Sequence, residues 1–206
     1  MLMTPGVRQF ALTTHVTASV GWLGAVLVFL AHAAIGLTSP DPQVVRGVYQ
    51  VMEPAAWLAL LPLAGAALLT GIIQSLGTSW GLLRHYWVVF KLLITACATV
   101  ILLIYMETFR QMAAVAADSG VEIESVRNPS PALHAALAAA ALLLATVLAI
   151  NKPPGLTPYG RRALGRGDRE AVSGSARWTY VAALAAVVLM LLLIVGHLTG
   201  HGPARH

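Results

Sequence analysis

The stretch from His15 to His32, HVTASVGWLGAVLVFLAH, constrains this chain more than any other. It holds no Asp, Glu, Lys or Arg, and it carries a histidine at each end. At 1.5 Å per residue it makes roughly 27 Å of helix, close to the hydrocarbon thickness of a bilayer. Backbone at that depth finds no water to bond, so a single such segment must be helical. Four more apolar segments of similar length follow, and only 10% of the residues are charged. The chain therefore reads as an all-α, polytopic membrane bundle of five transmembrane helices. The short alternating segments of a membrane β-barrel are missing.

The expected helices run from about 7–37, 54–76, 83–109, 132–150 and 178–199, and residues 1–206 form one transmembrane domain. The first run exceeds the roughly 7–15 apolar residues of a signal-peptide core, so it is read as a retained helix. Thr38-Ser39-Pro40-Asp41-Pro42 stops it. The link PQVVRGVYQVME then suits a brief amphipathic helix on the surface, before a second span beginning at Pro54. Pro62 should kink that span, and Gly65 and Gly71 should thin it for a neighbour. In RHYWVVFK the mixture of aromatics and bases reads as a membrane interface, with Lys91 snorkelling towards headgroups.

Charge fixes an expected orientation. The 151–177 link holds Lys152, Arg161, Arg162, Arg166, Arg169 and Arg177 against Asp168 and Glu170. The 107–130 link is acidic, with Glu107, Asp118, Glu122 and Glu124. By the positive-inside rule the basic link is cytoplasmic, the N-terminus lies inside and the C-terminus outside. The formal charge of +5 is thus topology, with no nucleic-acid partner implied. The lipid bilayer is the implied partner. Cys97, the single cysteine, permits no internal disulfide.

Orientation sorts the histidines by depth. His15 and His85 form an inner layer; His32, His134, His197 and His201 form an outer one. Ionisable groups at membrane depth are expensive, which makes each a candidate. Seventeen residues separate His15 from His32, about 25 Å along a helix, so they cannot share one ion or haem. A haem needs axial ligands at one depth, with small residues beside them. The leading expectation is a b-type haem-binding protein for electron transfer, with outer ligands from His32, His134 and His197 and an inner pair of His15 and His85. A redox partner would follow from that role.

Copper binding or transport is the second reading. His197 and His201 stand at i and i+4, as paired metal ligands would, and Met52, Met106 and Met112 fall on the outer side. The third reading is a non-catalytic membrane partner or assembly factor. Ordinary small-residue packing explains the same stripes, methionine is a common filler, and slim faces suit a homodimer. No phosphate loop, nucleophile triad or HExxH is present, so the sequence leaves enzymatic activity open.

Two pieces carry a resemblance: His15-Val-Thr-Ala-Ser-Val-Gly-Trp22-Leu-Gly24 and Trp80-Gly-Leu-Leu-Arg-His-Tyr-Trp-Val-Val-Phe-Lys91. Together they resemble small bacterial integral membrane proteins of unknown function. The first also resembles the opening helix of copper-resistance D-like proteins and of the haem-associated membrane proteins near them. The resemblance covers about half the chain. It implies a helical bundle in a bacterial inner membrane, with His15 as the carried-over candidate, and it implies no reaction.

Overall fold

The computed structural model describes residues 3–163 and 174–198, and every regular element among them is helical. Helix α1 spans Pro5–Thr38, and α2 spans Pro42–Ala55. A single π turn, Ala56–Leu60, joins α2 to α3, Leu61–Gly77. Then come α4 (Tyr86–Ala117), the short α5 (Ile123–Val126), α6 (Ser130–Asn151), the short α7 (Pro158–Ala163) and α8 (Gly174–Leu198). Five stretches are long and apolar enough to cross a membrane, and one of them is the continuous Pro42–Gly77.

That continuity departs from the sequence reading. The amphipathic segment is no separate surface helix, and Pro54 lies inside a helix instead of opening one. Asp41 caps α2 by accepting the Gln43 N–H at 2.8 Å, and Pro42 occupies the first turn. Val45, Tyr49 and Met52 are buried, while Gln43, Arg46, Gln50 and Glu53 lie on the other faces. The strain expected at Pro62 is absorbed just upstream. Proline has no N–H to donate and its ring crowds the preceding turn. The chain takes one extra residue there, with the Leu61 N–H reaching back to the Ala56 carbonyl.

Helices α1, α3, α4 and α6 form a four-helix bundle. In it α1 packs on α3 and α6, α4 packs on the same two, and α8 lies outside against α4. The core is built largely from small residues: Ala18, Ala33, Ala64, Ala67, Ala139 and Ala145 are all buried. Lipid cannot drive apolar helices together by the hydrophobic effect, so close backbone approach through alanine does that work. The large apolar side chains point outwards instead; Leu58, Leu69, Leu103, Leu143 and Leu192 are more than half exposed. Gly65 has no neighbour for an added Cβ, contrary to its expected thinning role, whereas a Cβ on Gly36 would strike the buried Tyr49 ring at 2.9 Å.

The bundle has two chemically distinct ends. At one end Met3 N–H bonds the Gly77 carbonyl, and the strand-like pairing of His85 with Leu156 ties the α3–α4 loop to the segment after α6. Gly160 is pressed there against the Arg84 backbone, where a Cβ would lie 2.1 Å from the carbonyl oxygen. The described bases Arg8, Arg84, Lys91, Lys152, Arg161, Arg162 and Arg177 belong to this basic end. All six described carboxylates, Asp41, Glu53, Glu107, Asp118, Glu122 and Glu124, belong to the opposite half.

At the acidic end two arginines serve the backbone. Arg127 donates to the carbonyls of Gly36, Leu37 and Ser39, closing the end of α1. Arg46 donates to Ala116, Asp118 and Val121, closing the end of α4. A cation at a helix C-terminus also meets the negative end of the helix dipole. Arg127→Ala is expected to cost about 3 kcal/mol, the upper range for hydrogen bonds to a charged group. Arg127→Lys should recover only part, since an ammonium lacks the planar fork. Arg110→Ala, which removes the exposed pair with Glu107, should leave the unfolding midpoint unchanged. Thermal unfolding of the detergent-solubilised chain measures all three.

Candidate functional site

A cavity of about 320 Å³ lies in the basic half, with walls from α1, α3, α4 and α6. Its lining is mostly apolar, from Trp22, Leu68, Val88 and Leu142, interrupted by His15, Ser19, Ser75, Lys91, Thr95 and Thr146. Pockets for small molecules commonly measure about 300–1,000 Å³, so this one reaches ligand size.

His15 is held in one ring orientation. Its Nδ1 lies 3.0 Å from the Thr70 Oγ1. The Thr70 hydroxyl donates its only proton back to the Ala66 carbonyl at 2.5 Å. It can therefore only accept from His15, which makes Nδ1 the N–H of the neutral ring and leaves Nε2 with its lone pair. Gly71 makes room for the ring: a Cβ there would sit 3.1 Å from the His15 Cε1. Histidines that ligate metals are commonly oriented this way, by a second partner on the other nitrogen.

Lys91 lies on the side of α4 that faces the cavity. It follows the buried Trp87 by four residues and precedes the buried Ile94 by three, which is the inward stripe of α4. Its ammonium lies 6.0 Å from the Trp87 ring centroid, and the residue is part of the wall of the His15 cavity. No carboxylate or hydrogen-bond acceptor engages it among the described residues. That inward spacing was the signal available in the sequence.

The expected histidine pairs are not brought together. His85 caps the start of α4, donates from Nδ1 to the Trp80 carbonyl at 2.9 Å, and sits against the Trp80 and Trp87 rings. It is absent from the His15 cavity wall. In the acidic half, His134 donates from Nδ1 to the Ser130 carbonyl at 2.8 Å and stacks on Tyr105 at 4.4 Å. His32 presents a buried Nδ1 with no hydrogen-bond partner among the described residues. His32 and His134 are linked through three rings, Phe29, Phe109 and Tyr105, at centroid steps of 6.4, 5.5, 4.9 and 4.4 Å.

Those rings occupy much of the space an outer cofactor would need. The two cavities reached by His134 measure only about 70 and 160 Å³. Met52, Met106 and Met112 are buried core residues, as filler methionines are. His197 falls in the last turn of α8, but its side chain lies outside the described residues, as does His201 altogether. Among the described residues, no group of three or more His, Cys, Asp or Glu is arranged to hold a metal ion.

No known protein family, curated protein or solved structure matches this chain. The chemistry of the site has to be read from its own residues.

Thr70→Val removes the acceptor that fixes His15. Imidazole ¹⁵N chemical shifts are expected to show the Nδ1–H form in the wild type and a mixture of tautomers in the variant. The unpaired N–H should cost about 1–3 kcal/mol in unfolding free energy.

Proposed function

We propose that this chain is a membrane-embedded binding protein whose cofactor is b-type haem, for electron transfer, with His15 as the residue that would hold it in the basic-half cavity. The orientation-locked imidazole on a ligand-sized, largely apolar cavity carries this reading. The donor set fits in part. Thr70 holds the ring with a lone pair available, the apolar walls suit a macrocycle, and Lys91 suits a propionate. The cavity wall supplies no second imidazole, so the reading is narrower than a paired-histidine site. Haem would supply one-electron redox chemistry; the chain binds, orients and shields it from water.

We take the basic end as cytoplasmic in a bacterial inner membrane. The seven described bases at that end and the six carboxylates at the other support this orientation. The three described bases at the acidic end are already engaged, Arg46 and Arg127 on backbone carbonyls and Arg110 on Glu107. With five crossings the C-terminus would then lie on the opposite face from the N-terminus. Alkaline phosphatase fused to the C-terminus should therefore be active in a bacterial host, and inactivity there would reverse the orientation.

Purified after expression with ample haem, the wild type should show a Soret band. His15→Ala should lose at least nine-tenths of it, while His85→Ala and His134→Ala keep it. A wild type without a Soret band sinks the haem reading. A band that survives His15→Ala moves the site elsewhere.

A further inference from the structure

We infer that the basic-half cavity is a receptor site for an amphiphilic monoanion, a carboxylate on an apolar body, with the Lys91 ammonium as the group that recognises its charge. The inference shares its cavity with the haem reading but rests on Lys91 and needs no iron.

The first observation is a charge without a counter-charge among the described residues. Lys91 stands five residues into α4, roughly 7.5 Å along the axis, on the wall of a cavity between four helices. A cation withdrawn from water must be matched by an opposite charge or by dipoles. Every described carboxylate belongs to the other half of the molecule. The Trp87 ring, 6.0 Å away, offers a weak cation–π contact only. Among the described residues the protein supplies the cation and no anion to match it.

The second observation sets the kind of anion. The hydroxyls of Ser75, Thr95 and Thr146 donate their protons to carbonyls of their own helices. They have none left for a ligand. The Lys91 ammonium is then the charged donor on the wall and the Ser19 hydroxyl a neutral one, which suits a singly charged head better than a doubly charged phosphate. The rest of the lining is apolar, from Trp22, Leu68, Val88 and Leu142. A head of one negative charge on a hydrocarbon or ring body satisfies both parts.

The test uses the whole chain in phosphatidylcholine nanodiscs, titrated with cis-parinaric acid and with its uncharged methyl ester. Energy transfer from tryptophan is the readout, and empty nanodiscs give the partition background. Wild type should bind the acid saturably and at least tenfold more tightly than the ester. Lys91→Met should bring the acid down to the level of the ester, and Lys91→Arg should keep the preference. Phosphatidylglycerol in the bilayer that displaces the acid supports the same site and names a lipid as the anion's source. Equal binding of acid and ester by wild type overturns the inference, as does full acid preference in a folded Lys91→Met variant. If Lys91→Met does not fold, the wild-type comparison and Lys91→Arg still decide. Loss of acid binding with a retained Soret band refutes this inference alone; a missing Soret band with retained acid preference refutes the haem reading alone.

Discussion

A helix that ends leaves its last carbonyls without donors, and near a membrane water cannot be relied on to supply them. At the acidic end of this bundle two guanidinium groups meet that need, Arg127 for α1 and Arg46 for α4. Each comes from a different part of the chain, so each clasp also fixes where that part lies. Arg127 draws the approach to α6 against the end of α1. Arg46 draws α2 under the turn after α4. Tyr49 completes the closure, since its hydroxyl both accepts from and donates to the Asn128 backbone, against the bare surface of Gly36. The basic end is closed differently, by backbone pairing between residues 83–86 and 155–157 and by the contact at Gly160. Between these two closures the helices are free to be apolar all round.

The helices and their order were legible because segment length and missing charge are direct consequences of the bilayer. The first helix was expected at about 7–37 and spans Pro5–Thr38. The two arginine clasps were not legible, because they join residues some 70 to 90 positions apart through carbonyls that carry no sequence signature. The π turn did leave a trace. Buried positions Met52, Ala56, Leu60 and Ala64 advance by four residues three times running, where an α-helix of 3.6 residues per turn would interpose a three.

The site was legible by residue type but not by grouping. His15 stood out as an ionisable group at depth, and it does line a ligand-sized cavity. Its partners were hidden, because Thr70 and Gly71 look like ordinary small residues of a membrane helix. Lys91 was visible too, but a lysine near a helix end among aromatics carries no sequence sign of the cavity it lines. His32 and His134 share one half of the molecule, but aromatic rings link them instead of a ligand-sized space. Depth can be read from a sequence; the filling between two side chains at one depth cannot.

The turn at Ala56–Leu60 has a consequence for how this protein tolerates changes in length. One residue amounts to about 100° of rotation. Losing one there would let the backbone relax into unbroken α-helix with no clash of its own. All of α2 would then swing about the axis, carrying Tyr49 away from Asn128 and Arg46 away from the α4 carbonyls. The surplus residue thus acts as a phase key: it times the cap of the acidic end to the barrel of helices beneath it, and the two could not be re-spaced independently.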